Sequence, residues 1–160
     1  MKSNHRIHLL VCAALLGAAL IAGCNRKSAK SSLPVKEIVI TGNDQMKYDL
    51  TTIEVKAGQE VKLTLKNIGT MPKESMGHNW ILLEKNTDPL KFLEPGFAYA
   101  SNDYIAPEME KKVIAKTRTL GPGEEETITF TAPSIPSPYD YICTFPGHFA
   151  AGMKGVLVVQ

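Results

Sequence analysis

The chain has 160 residues, 44% of them hydrophobic, with 18 basic against 16 acidic side chains and a formal net charge of +2. That apolar content suffices for one globular core, so one domain with extra segments is the expectation. The near-balanced charge gives no case for nucleic acid as a partner.

The first residues, "MKSNHRIHLLVCAALLGAALIAGC", combine a short basic start at Lys2 and Arg6 with an apolar run from Leu9 to Ile21. Small residues follow before Cys24, the pattern of an export signal over residues 1–23. The run is too short for a comfortable membrane-spanning helix. "IAGC" resembles a bacterial lipobox, which implies cleavage before Cys24 and lipidation of its thiol, anchoring the protein to a membrane surface. Residues 24–35, including "NRKSAKSSLP", are polar and aperiodic and read as a flexible linker, with Arg26, Lys27 and Lys30 placed to lie against anionic headgroups or simply in solvent. Loss of Lys2 and Arg6 with the signal leaves 16 basic and 16 acidic residues.

The domain is expected over residues 36–160, as short β-type runs separated by turns. In chain order these are "KEIVIT" (36–41), "LTTIEV" (50–55), "EVKLTLKN" (60–67), "NWILLE" (79–84), "KVIAKTR" (112–118), "ETITFTA" (126–132), "YDYICTF" (139–145) and "GVLVVQ" (155–160). Alternation is clean in "VKLTLKN" and "TITFTA", as in half-buried antiparallel strands. "AGQ" (57–59) and "GPGEE" (121–125) read as hairpin connections. About eight such strands indicate an all-β sandwich or barrel. Residues 86–111 lack alternation, and their Pro and Gly argue for a short helix or an irregular flap rather than one long helix.

Cleavage of the signal removes Cys12 and, with it, His5 and His8. If Cys24 is acylated, Cys143 is left without a partner in an exported protein, where thiols ordinarily pair. The count alone leaves three roles open: a small buried hydrophobe, an intermolecular bridge, or a metal-held thiolate. The remaining histidines are His78 and His148, and "CTFPGHFAAGM" puts Cys143, His148 and Met153 on one loop. A metal cycling between cuprous and cupric states needs a soft thiolate, imidazoles that suit both states, and tolerates a distant thioether. This inventory fits a copper site with two histidines and one thiolate. Cys143 would end a strand and His148 would follow on the turn at Pro146 and Gly147, while His78 arrives from a separate strand start in "MGHNW".

"ITGNDQMKY" (40–48), "MPKESMGHNW" (71–80) and "CTFPGH" (143–148) closely resemble the azurin-type cupredoxins, and "GHFAAGMKG" (147–155) is similar to auracyanin. The resemblance spans residues 36–160. It implies a Greek-key β-sandwich, the cupredoxin fold, with one type 1 copper ion held by His78, Cys143 and His148, with Met153 as axial ligand and the Gly77 carbonyl on the opposite side. Asn79 and Thr144 match residues that tie the two ligand-bearing segments by hydrogen bonds, and the backbone N–H groups of Asn79 and Phe145 are the expected donors to the sulfur. Two departures stand out. Lys36 and Gln59 occupy the positions of a usual disulfide, so packing alone is expected to hold that end. Four residues separate His148 from Met153 where azurins have three, which leaves the axial distances and the potential open.

The function so implied is single-electron transfer, not catalysis, on the periplasmic or outward side of a bacterial membrane. Partners would be redox proteins such as c-type cytochromes or a terminal oxidase or reductase. Met46, Met71, Met76, Pro146, Phe149 and Ala150 would form an apolar docking patch around the His148 edge. Copper carriage or storage, or a mononuclear metalloenzyme, are the alternatives for the same ligands. The loop offers neither a carboxylate nor a third imidazole for catalysis.

Overall fold

A computed structural model of the protein describes residues 33–160. The expected signal at 1–23, Cys24 and all but the last residues of the linker lie outside the described residues.

Strict alternation builds the first sheet. In β4 (Glu60–Asn67), Val61, Leu63 and Leu65 point inward and are fully buried, while Lys62 is exposed and Thr64 and Lys66 partly so. Each inward side chain contributes about 1.5–3 kcal/mol relative to exposure. β1 (Lys36–Asn43) runs parallel to β4, and β7 (Glu125–Thr131) runs antiparallel to it. The two-residue β2 (Lys47–Tyr48) completes a sheet of order β2-β1-β4-β7. The second sheet has the order β3-β9-β8-β5-β6, formed by β3 (Thr52–Val55), β5 (Ile81–Leu83), β6 (Val113–Lys116), β8 (Ser137–Ile142) and β9 (Lys154–Val159). Ile38, Ile40 and Leu63 from one sheet share a core with Leu82, Tyr141 and Leu157 from the other. At its centre Trp80 lies 5.5 Å from Tyr141 and 5.8 Å from Phe130, ring to ring. The result is the expected all-β sandwich with a few short helices.

Neither expected hairpin is one. Residues 57–59 join β3 to β4, and residues 121–124 join β6 to β7, strands that belong to different sheets. Both turns are tight, with Gln59 N–H bonded to Lys56 O at 3.0 Å and Glu124 N–H to Gly121 O at 3.1 Å. They turn corners between layers instead of pairing their flanks, because alternation specifies which face a strand buries and not which strand lies beside it. β1 with β4 and β3 with β9 are likewise parallel pairs.

Packing is also not alone at the end that lacks a disulfide. Gln59 is buried, its Oε1 accepting from Lys56 N at 2.9 Å and its Nε2 donating to Pro34 O at 2.9 Å. These bonds tie the start of the domain to the corner, at roughly 1 kcal/mol each against the 2–5 kcal/mol typical of a native disulfide.

The aperiodic stretch holds the short helix α2 (Pro89–Leu93) and 3₁₀ turns over Glu94–Ala98, Ala100–Asn102 and Pro107–Lys112; α1 is the single turn Lys73–Met76. Asp88 caps α2 by accepting from Leu90 N at 3.0 Å, and Pro89 opens the helix at its first position. Phe92, Leu93 and Ile105 pack this insertion onto Ile81, Leu83 and Ile142 of the second sheet.

Candidate metal centre

Cys143 follows the last residue of β8, and His78 precedes β5, so adjacent strands deliver both to one end of the sandwich. An isolated antiparallel bridge fixes His78: its N–H bonds Leu120 O at 3.0 Å, and Leu120 N–H returns to His78 O at 2.7 Å. Gly77 is required beside it, since a Cβ there would stand 2.6 Å from Thr119 Cγ2 and 2.8 Å from Lys73 O.

The loop from Cys143 to Met153 closes on itself. Cys143 N–H bonds Met153 O at 3.1 Å, Met153 N–H bonds His148 O at 2.9 Å, and His148 N–H bonds Phe145 O at 3.1 Å. Between His148 and Met153 the chain forms a helical turn, α3 (His148–Ala151), ended by Gly152 with φ 98°. That left-handed cap absorbs the extra residue and lets the chain re-enter β9. Lys47 Nζ donates to the Ala151 carbonyl and pins the turn from outside.

The donor atoms of His78, Cys143 and His148 lie within 4.8 Å of one another. The Nδ1 atoms of the two histidines are 3.2 Å apart, and Cys143 Sγ is 3.5 Å from His148 Nδ1. His78 and Cys143 are fully buried, and His148 is 1% exposed. Met153 is fully buried next to them: a Cβ on Gly42 would lie 2.8 Å from Met153 Cε and 3.1 Å from His78 Cδ2, so Gly42 backs both side chains.

Burial sets the protonation states. It pushes the Cys143 thiol up to about 12, against the opposing pull of the Asn79 and Phe145 backbone N–H groups. It lowers His148 to about 4, helped by repulsion from charged His78. His78 is also lowered by burial, opposed by the Asp44 carboxylate and the Asn43 carbonyl. Among the described residues no hydrogen bond of ordinary geometry reaches His78 Nε2, which is buried. Neutral imidazoles at pH 7 present lone pairs to a common point beside a thiol that only a cation can ionise there. The donor set is soft sulfur, two imidazoles and a neighbouring thioether, and it fits one type 1 copper ion.

Around the donors, Asn79 Nδ2 donates to Thr144 Oγ1 at 2.6 Å, and Thr144 N–H returns to Asn79 Oδ1 at 2.9 Å. The Phe145 ring lies 4.6 Å from that of His148. Several residues here were not singled out from the sequence. Tyr48, buried, donates its hydroxyl to the Asn79 carbonyl; Thr119 Oγ1 accepts from Asn79 Nδ2 at 3.2 Å; and the Asp103 carbonyl accepts from both Asn79 and Thr144. Inward alternation along β1 would have pointed to Gly42, whereas the aperiodic insertion carries no signal for Asp103.

All six residues expected to form the apolar patch retain some exposure. Met71, Pro146 and Ala150 are exposed and Met46, Met76 and Phe149 partly buried, but the His148 ring they were expected to surround is covered. Leu90 at 67% and Phe97 at 57% exposure are more open, and they line a groove with Phe145, Phe149 and Ala150.

Residues 35–160 match the family described as copper binding proteins, plastocyanin/azurin family. Azurin-1 of Alcaligenes xylosoxydans xylosoxydans is 38% identical over 121 residues, 74% of this chain and 92% of that protein. Outer membrane protein H.8 of Neisseria gonorrhoeae is 38% identical over 113 residues, 69% of this chain and 61% of that protein. The solved structure of dithionite-reduced auracyanin from the photosynthetic bacterium Roseiflexus castenholzii is similar with a TM-score of 0.70 and 35% identity, covering 78% of this chain and 97% of that one. With a buried His/Cys/His cluster at the end of a two-sheet sandwich, the chain belongs to the plastocyanin/azurin family as an azurin-type cupredoxin.

Proposed function

We propose that the protein carries single electrons between redox proteins at a bacterial membrane surface, with His78, Cys143 and His148 as the residues that would hold copper, joined by Met153 and the Gly77 carbonyl. The observation that carries this reading is the convergence of one sulfur and two imidazole nitrogens within 4.8 Å in a fully packed setting. Copper in such a site supplies a reversible one-electron couple. The chain's own residues keep the donors still. The His78–Leu120 bridge, the Asn79–Thr144 pair and the backbone bonds of the Cys143–Met153 loop each resist movement when charge changes. A copper carriage site would favour ligands within reach of solvent, and these are at most 1% exposed.

Docking of c-type cytochromes or a terminal oxidase or reductase is assigned to the apolar face of the ligand loop, with Met46, Met71, Met76, Pro146, Phe149 and Ala150. Leu90 and Phe97 extend that face across the neighbouring groove. Electrons would pass beneath it through the Phe145 and His148 rings, which are in contact. Lipidation of Cys24 would hold the domain at the membrane, a reading in keeping with the outer-membrane name of the Neisseria relative.

The test is the visible spectrum and voltammetry of the copper-loaded domain. An intense charge-transfer band with a reversible one-electron wave is expected, and Cys143→Ser should lose the band while keeping the fold. A Cys143→Ser variant that stays blue overturns the assignment.

A further inference from the structure

The insertion between β5 and β6 reaches the hydrogen bonds around the metal centre at Asp103. Asp103 has φ 54° and Tyr104 φ 58°, consecutive left-handed residues that are not glycine. Such a conformation costs of order 1–2 kcal/mol per residue and persists where surrounding contacts hold it. At Asp103 those contacts come from its carboxylate: Oδ1 accepts from Thr119 N at 2.7 Å, and Oδ2 receives Lys116 Nζ at 3.2 Å. So held, the Asp103 carbonyl accepts from Asn79 Nδ2 at 3.1 Å and from Thr144 Oγ1.

Apart from Lys116, the residues bonded to Asp103 adjoin donor-bearing segments. Asn79 follows His78, Thr144 follows Cys143, and Thr119 precedes Leu120, which is bonded to His78 in both directions. Next in the chain, the Tyr104 ring stands edge-on to Phe145 at 5.2 Å, and Phe145 contacts the His148 ring. One acceptor oxygen thus joins the His78 and Cys143 segments, and the following ring braces the third.

We propose that Asp103 is a positioning residue for the copper site: its carboxylate, anchored on Thr119, aims its own carbonyl at Asn79 and Thr144 and thereby fixes the separation of His78 from Cys143. The insertion is then part of the site's frame. Only the consequence at the metal rests on the copper reading; the clamp itself exists in the metal-free protein.

Two substitutions separate the clamp from backbone strain. Asp103→Gly accepts the left-handed conformation without cost but loses the carboxylate. Asp103→Asn keeps an acceptor for Thr119 N and tolerates the same conformation. In the metal-free Gly variant, hydrogen exchange at Thr144 N–H, which is bonded to Asn79 Oδ1, is expected to accelerate at least tenfold while amides of β4 keep their wild-type rates. In the copper-loaded Gly variant the midpoint potential and the charge-transfer band should move, and the Asn variant should restore both. Unchanged Thr144 exchange, an unchanged potential in the Gly variant, or an Asn variant as altered as the Gly variant each overturns the proposal. Should the Gly variant not fold, Thr144→Val removes one of the two bonds to the Asp103 carbonyl and must shift the potential; no shift overturns the proposal. A wild-type protein without a blue band refutes the copper reading instead, and the exchange measurement still decides the clamp.

Discussion

His78 and His148 lie 70 positions apart in sequence, yet their Nδ1 atoms face one another across 3.2 Å in a buried space beside Cys143 Sγ. Two imidazoles so placed share at most one proton between those nitrogens, and a cation that satisfies both binds the folded chain alone. Saturation with copper at about a thousandfold excess over Kd should stabilise the domain by about 4 kcal/mol, raising Tm by roughly 10–20 °C. Thermal unfolding with and without metal checks this. An identical Tm would mean that the donors do not act together.

Metal uptake should release about one proton at pH 7. The Cys143 thiol is held near 12 by burial and is protonated in the metal-free protein, whereas both histidines are lowered and already neutral. Calorimetry in buffers of different ionisation enthalpy counts the proton. In Cys143→Ser the release should vanish.

The metal-free protein should lose stability as pH falls from about 6.5 to 4. His148 has its folded pKa depressed to about 4 by burial and by the charge of His78, so the unfolded chain takes up a proton near 6.5 that the folded chain refuses until about 4. The loss is on the order of 3 kcal/mol at the bottom of that window and levels off below it. Denaturant midpoints across this range measure the slope, which His148→Gln should flatten.

Gly42→Ala should disturb the site without touching a donor. The new Cβ would stand 2.8 Å from Met153 Cε and 3.1 Å from the His78 ring, so one or both side chains must shift. Overpacking of this kind costs typically 1–3 kcal/mol. Electron paramagnetic resonance of the copper-loaded variant should show altered hyperfine splitting with an intact sulfur-to-copper band.

Tyr48→Phe removes the hydroxyl bonded to the Asn79 carbonyl and leaves that buried acceptor unsatisfied. A loss of about 1–3 kcal/mol is expected in denaturant titration, along with a displaced potential, because Asn79 N–H faces the Cys143 sulfur. A change in stability with an unmoved potential would confine Tyr48 to a packing role.

What the sequence determined by itself is chemical identity and facing. The cysteine, histidines and methionine of the centre are recognisable because soft and borderline donors are few in this chain and three of them share one loop. The inward rows of β1 and β4 follow from alternation, since side chains on a strand repeat every second residue. The same rule, carried to the end of β1, turns Gly42 inward.

The tertiary structure alone decided what depends on pairing between distant segments. The turns at 57–59 and 121–124 look local, but whether they fold a hairpin or cross between sheets is settled by which strands bury surface together. The grip of Asp103 on Asn79 and Thr144 likewise arises from an insertion with no periodicity, whose conformation is held by contacts rather than by propensity. Donor chemistry is a property of residues, whereas the fixed distance between donors is a property of the bonds that join segments far apart in the chain.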